Sequence, residues 1–314
     1  MAGRGKTPVA MRTDVTTGTA FRFAKGRQLK YKTANIDGVE LFYREAGEVG
    51  NPKIVLFGGF PSSSHQWREL LPALAAEGFH LVSPDYPGFG HTNVPDGFAF
   101  TFDRISEVIE AWLAEIGFTR FGMYHQDYGG PIGNRIVGRN PEWLEWQIVQ
   151  NSNAYEEGFT ETWDGIRFQL WKERTKETED ALRPFLETAG IKSIYLAGHR
   201  DPELISPDNW TMDNAFLDRP GRRDIQLDLL EDYKTNPPLY ATWQQFMRDH
   251  QPKTLIFWGQ GDVFFTPAGG EAYLRDLPDA EMHRLEAGHF AVEDHVLEIA
   301  TTIARFYHDK VAGH

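Results

Sequence analysis

Three polar residues each follow a predicted strand closely enough to share one site: Asp127, Asp262 and His289. A carboxylate at the first position can attack a saturated carbon and form an alkyl ester. An imidazole held by a second carboxylate can then take a proton from water and direct that water at the ester. Asp127 lies in Tyr124-His125-Gln126-Asp127-Tyr128-Gly129-Gly130, a predicted strand that runs through a sharp turn into a helix. The two glycines let the helix approach that turn, and the turn aims the Tyr128 backbone N–H at the reacting centre. No G-x-S-x-G occurs in the chain, so a serine at such a corner is excluded. Asp262 closes Trp258-Gly259-Gln260-Gly261-Asp262, and His289 sits in Ala287-Gly288-His289-Phe290. Taken singly, Asp127 is a turn residue, His289 a helix-cap histidine, and Asp262 a loop carboxylate whose place beside the imidazole Glu293 or Asp294 could take. Taken together, in the order nucleophile, acid, histidine, they read as a triad.

The elements that must position these residues follow from hydrophobic period and turn chemistry. Leu29–Ala34 and Val39–Glu45 predict two strands joined at Asp37-Gly38. Further strands are expected at Lys53–Phe57, His80–Ser83, Arg120–His125, Trp146–Gln150, Thr254–Trp258 and Met282–Leu285. Helical spacing marks His65–Ala76 after the capping serines Ser62 to Ser64, then Phe102–Ile116, Pro131–Arg139, Pro267–Leu274 and Val296–Phe306. The alternation predicts an α/β fold with a mostly parallel twisted sheet covered by helices on both faces. From residue 152 to 238 the alternation stops, and charged and aromatic residues at helical spacing predict an inserted helical cap. The expected division is therefore a tail over 1–28, a core over 29–151 and 239–314, and the cap between. Ligands of such sheets bind at the carboxyl ends of the strands, where all three polar residues fall.

The stretches FGGFPSSSHQWR, DYPGFG, HQDYGGPIG, FWGQGD and AGHF, in that order, resemble the epoxide hydrolase and haloalkane dehalogenase branch of the α/β-hydrolase fold. The resemblance runs from about Leu29 to Val311. It implies a cap between the sixth and seventh strands, and it aligns Gly59-Phe60-Pro61 with the family's H-G-x-P loop. The Phe60 N–H is then the second oxyanion donor beside Tyr128, with a cis bond before Pro61. Two positions depart from the pattern: Gly58 replaces the usual His, and His125 stands where a small or β-branched residue is usual.

The same resemblance frames the leaving group. Epoxide opening in this family uses two cap tyrosines; Tyr233 falls near the second, and Tyr155 substitutes for the first, which is missing near Trp171-Lys172. Halide departure uses indole N–H donors, usually including a Trp after the nucleophile; here Tyr128 stands there, and Trp171 offers one indole. Fluoroacetate-type relatives carry Arg at that position, and Tyr128 removes it. The expected activity is epoxide hydrolysis to a vicinal diol. Carbon–halogen hydrolysis, a cofactor-free lyase or oxygenase, and a non-catalytic ligand receptor are the alternatives.

Composition bounds the partners. With Lys+Arg 32 against Asp+Glu 45, the formal charge of −13 disfavours nucleic acid and anionic membranes. The absence of cysteine excludes disulfides, thiolate metal sites and a thiol nucleophile. The histidines lack H-E-x-x-H or comparable spacing, so neither a metal nor a cofactor is expected. The expected ligands are a small, largely apolar organic substrate and water, a homodimer is admitted, and a start without a signal-type apolar run points to the cytoplasm.

Overall fold

The computed structural model describes residues 29–313; the tail expected over 1–28 lies outside the described residues. In chain order the core opens with β1 (Lys30–Ile36), β2 (Val39–Ala46), β3 (Lys53–Phe57), α1 (Leu70–Ala76), β4 (His80–Pro84), α2 (Phe102–Glu115), β5 (Phe121–Gln126), α3 (Gly129–Arg139) and β6 (Leu144–Gln150). Four helices follow without an intervening strand: α4 (Lys176–Leu186), α5 (Thr188–Leu196), α6 (Asp208–Leu217) and α7 (Arg222–Asp232). The chain returns through α8 (Tyr240–His250), β7 (Lys253–Gly259), α9 (Pro267–Asp276), β8 (Glu281–Leu285) and α10 (Val296–Phe306).

The eight strands form one sheet in the order β1-β2-β4-β3-β5-β6-β7-β8. Strand β2 runs antiparallel to β1 and β4, and all other pairs are parallel. The β1–β2 hairpin turns at Asp37 and Gly38, both at positive φ, with the Asn35 side chain accepting from the Gly38 N–H. The central strands are apolar and closed on both sides, as parallel strands between helical layers must be. One layer packs α1 and α10 around Trp67, Tyr124, Trp146 and Phe257, and the other surrounds Trp112, Met123, Ile132 and Trp258.

Three local departures from the sequence expectations have physical causes. The helix expected over His65–Ala76 is split into a 3-10 turn, Ser64–Trp67, and α1. Pro72 has no N–H for the carbonyl of Arg68, so the ladder cannot run through, and the helix restarts with Pro72 in its first turn. Helix α3 begins at Gly129 rather than Pro131 for the same reason: a proline is tolerated where no intrahelical N–H is needed. Helix α8 was not expected, although Tyr240, Trp243 and Met247 are its buried residues at helical spacing.

Candidate active site

Strand β5 ends at Gln126, and the chain turns at Asp127 with φ of 50°, the left-handed region that a non-glycine residue adopts at some strain. Helix α3 starts two residues later. A Cβ on Gly129 would stand 2.2 Å from the Phe57 carbonyl oxygen, so only glycine lets α3 close on β3 here. The corner lifts the Asp127 carboxylate above the carboxyl end of the sheet. Its Oδ1 accepts from the Phe60 N–H at 2.8 Å, and the Tyr128 N–H also donates to the carboxylate. Gly59 must lack a side chain, because a Cβ there would lie 2.1 Å from Asp127 Oδ1. The peptide between Phe60 and Pro61 is cis.

His289 follows β8 and Asp262 follows β7, and the two meet. His289 Nδ1 lies 2.8 Å from Asp262 Oδ2, and His289 Nε2 lies 3.7 Å from Asp127 Oδ2. Asp262 is fixed from two further sides: Asn151 Nδ2 donates to Oδ2 at 2.8 Å and the Phe264 N–H to Oδ1 at 2.7 Å. The alternatives to Asp262 are engaged elsewhere. Glu293 forms a two-point pair with Arg68, and Asp294 pairs with His199 and His295. The three side chains singled out in the sequence therefore come together in one buried place.

Burial pushes the Asp127 carboxyl up to about 6, against the opposing pull of His289 and of the Tyr128 and Phe60 N–H groups. Burial also acts to lower the His289 imidazole, but Asp262 and then Asp127 outweigh it, and the net shift is upward. The site thus holds a carboxylate that is ionised at neutral pH and an imidazole whose Nδ1–H is committed to Asp262. Such a pair can attack an electrophilic carbon and then activate water.

Above Asp127 lies a cavity of about 230 Å³. Its floor is Asp127, Tyr128, Phe60 and His289; its roof comes from Leu182 and Phe185 on α4, Ile194 on α5 and Leu230 on α7. No lysine or arginine is among its lining residues. The side chains read from the sequence as leaving-group donors fare differently. Tyr155 is directed away: its hydroxyl donates to Asp276 Oδ2 at 2.8 Å on α9, and its ring packs on Tyr273. Trp171 gives its indole N–H to the Leu230 carbonyl at 2.8 Å, and Trp163, which lines the cavity, gives its own to the Phe264 carbonyl at 3.1 Å. Tyr233 is fully buried one layer behind the wall, against Trp163 and Tyr128, and its hydroxyl lies beside that of Tyr240 without a well-formed hydrogen bond. The Tyr128 hydroxyl is buried and unpartnered.

Sequence reading missed Asn151, Gln126 and Gln66. Asn151, at φ of 40°, holds Asp262, bonds both ways with Gly259, and accepts the Asp127 N–H on its carbonyl at 3.2 Å. Its signal was an Asn directly after a strand, a residue that tolerates the left-handed region. Gln126 Nε2 lies 2.7 Å from His289 Nε2, and Gln66 Nε2 donates to Gln126 Oε1 at 3.2 Å. His125, the departure beside the corner, is buried facing Gly130, with burial pushing its imidazole down to about 3 and so keeping it neutral.

Among the described residues no helix is long and apolar enough to cross a membrane, and no group of three or more His, Asp or Glu side chains is placed to hold a metal ion.

Comparison with known proteins agrees with this architecture. Residues 52–296 match the family model for the alpha/beta hydrolase fold. The chain is 40% identical to an uncharacterized hydrolase of Saccharomyces cerevisiae, over 86% of this chain and 94% of that protein. It is 30% identical to a haloalkane dehalogenase of Mycobacterium marinum, over 84% of this chain and 88% of that protein. The solved structure of the epoxide hydrolase CorEH superposes with a TM-score of 0.72 at 16% identity, covering 90% of this chain and 99% of that one, a likeness of fold. The chain belongs to the α/β-hydrolase fold family, in the branch that holds the epoxide hydrolases and haloalkane dehalogenases.

Proposed function

We propose that the protein hydrolyses small apolar epoxides to vicinal diols through a covalent ester on Asp127, with His289 as base and Asp262 as its partner. The observation that carries the ester is the asymmetric seating of the Asp127 carboxylate. Oδ1 is held by the Phe60 main-chain N–H at 2.8 Å, whereas Oδ2 faces His289. Oδ2 attacks an epoxide carbon, the ring C–O bond breaks, and its electron pair passes to the epoxide oxygen. That oxygen takes a proton from a buried tyrosine hydroxyl. His289 then takes a proton from water, the hydroxide oxygen bonds to the ester carbonyl carbon, and the charge moves onto Oδ1. The Phe60 N–H already points at this oxygen, the Tyr128 N–H is the second donor of this reading, and such donors contribute about 10²–10³ in rate each. On collapse the diol alkoxide takes the proton of the reformed carboxylic acid, and the imidazolium proton returns to the tyrosine.

Epoxides are favoured over halides by the state of the donors. Both indole N–H groups near the cavity are spent on backbone carbonyls, while the hydroxyl of Tyr128, whose side chain lines the cavity, has no partner. Burial raises the Tyr128 and Tyr233 phenols well above their ordinary range, with the Asp127 charge adding to it, so each remains a neutral donor. The substrate is uncharged, because no cation among the lining residues would meet a carboxylate. Carbon–halogen hydrolysis is the second reading, favoured by the near full-length likeness to proteins named haloalkane dehalogenase. In both readings 152–238 is a cap that shapes the cavity.

One experiment tests both layers. The His289→Gln variant, mixed with a panel of aryl and alkyl epoxides and matched haloalkanes, is examined by intact-protein mass spectrometry, and the wild type is assayed for diol and free halide. The expected outcome is an epoxide-derived adduct mapped to Asp127 and diol from the wild type. No adduct from either class despite demonstrated binding would overturn covalent catalysis; halide without diol would transfer the assignment to the second reading.

A further inference from the structure

The imidazole nitrogen that must act as base is not open. His289 Nδ1 donates to Asp262, so the lone pair of neutral Nε2 points outward, and Gln126 Nε2 fills that direction at 2.7 Å. Gln126 has no exposed surface, and its own Oε1 is held by Gln66 Nε2 at 3.2 Å, which fixes the amide so that its N–H faces the ring. The far end of the chain is unfinished: Gln66 Oε1 is buried and has no partner. Room for it exists because residue 58 is glycine. A Cβ there would lie 2.7 Å from Gln66 Oε1, so the departure from the H-G-x-P pattern and the glutamine chain are one feature.

Resting on the reading of His289 as base, we propose that Gln126 and Gln66 are positioning residues that form a reversible amide relay and follow the proton on Nε2. With neutral imidazole the chain runs Gln66 N–H to Gln126 C=O, and Gln126 N–H to Nε2. For water to give its proton to Nε2 the Gln126 N–H must first leave that single lone pair, and once protonated the nitrogen is a donor that cannot face the amide N–H again. Turning both amides over presents Gln126 Oε1 to the imidazolium and brings the Gln66 Oε1 that had no partner round to accept the Gln126 N–H. The two bonds of the chain are kept with their direction reversed and one becomes charge-assisted, while the longer bond from Gln126 Nε2 to the His289 carbonyl at 3.4 Å is given up. The ionisable groups that face His289 are Asp262 and Asp127; the rings of Phe264, Phe265 and Phe290 close the remaining sides.

The test titrates His289 in the full chain by nitrogen-15 histidine NMR, with the resonance assigned from His289→Gln. Bonds to the charged ring are the stronger ones, so Gln126→Leu is expected to lower its midpoint by about one unit, and Gln126→Glu to raise it. Gln66→Met is expected to follow Gln126→Leu by a smaller shift, since the turned amide then lacks its acceptor. Loosened packing would move the Gln126→Leu and Gln126→Glu midpoints the same way, and that outcome would overturn the relay, as would midpoints unmoved in both. In single turnovers with styrene oxide, Gln126→Leu is expected to slow ester hydrolysis about tenfold and ester formation less; equal losses in both steps count against the relay. The NMR arm needs no substrate. Absence of any ester therefore undermines the proposed reaction while the titration still decides the relay.

Discussion

The sheet half of the molecule and the helical segment between β6 and β7 treat polar groups near the cavity in opposite ways. At the carboxyl ends of the strands, Asp262 receives three donors, Asp127 receives two main-chain N–H groups, and His289 is engaged at both ring nitrogens. In the helical segment the indoles of Trp163 and Trp171 are spent on carbonyls, the Tyr155 hydroxyl is spent on Asp276, and the Tyr233 hydroxyl has only the Tyr240 hydroxyl beside it. Reactive groups are thus over-determined by rigid elements, as precise geometry requires. The segment above them supplies apolar shape and few polar handles. Chemistry and selectivity should therefore separate under mutation.

The sharpest break is at the corner itself. Asp127→Asn is expected to reduce turnover at least about 10⁴-fold, measured as diol formation, with slow recovery if the amide hydrolyses back. The same change should stabilise the fold. A carboxyl raised above its unfolded value binds its proton more tightly in the folded state, so its contribution to stability falls as pH rises from about 4 to 6. Above that range the ionised, buried carboxylate is a standing penalty, and removing it should gain roughly 1–3 kcal/mol in urea unfolding at pH 8 but little at pH 4.

Next comes Asn151→Ala, which leaves all three reactive groups in place but frees Asp262; a loss of about 10–100-fold in kcat is expected, as for other groups that orient a functional ligand. The pH profile gives the third comparison. Ester formation in wild type should fall below about pH 6 as Asp127 takes up its proton, whereas the overall rate, which also needs neutral His289, should fall from a higher pH. Coincident limbs would break the two-step scheme.

In the helical segment the effects should be smaller and of another kind. Phe185→Ala, which opens the roof beside Phe60, should alter KM ratios between small and bulky epoxides by about tenfold with kcat within a few-fold. Trp171→Phe deletes one indole–carbonyl bond and is expected to lower stability by about 0.5–1.5 kcal/mol with activity retained. A large loss of halide release in that variant would restore Trp171 to the site.

The meeting of Asp127, Asp262 and His289 was legible because each follows a strand, and parallel sheets gather such ends into one place. The sequence left Tyr155 and Trp171 open between donor and packing because an aromatic at helical spacing does not reveal which way its polar tip turns. Asn151, Gln126 and Gln66 stayed hidden because an amide's role depends on the partner that folding brings to it. Gln66, on the 3-10 turn that follows β3, and Gln126, at the end of β5, are 60 residues apart in the chain and meet because β3 and β5 pair. Gly58 was noticed as an anomaly, but its meaning required seeing the side chain that occupies the freed space.

Asn151 sits under two loops at once: its carbonyl takes the Asp127 N–H while its amide takes Asp262 and Gly259. Warming that loosens the end of β6 must consequently release nucleophile and acid in the same event. Heat inactivation should then proceed as one step, ahead of the melting of the outer helices, and stabilising those helices alone would not lengthen the working life of the catalyst.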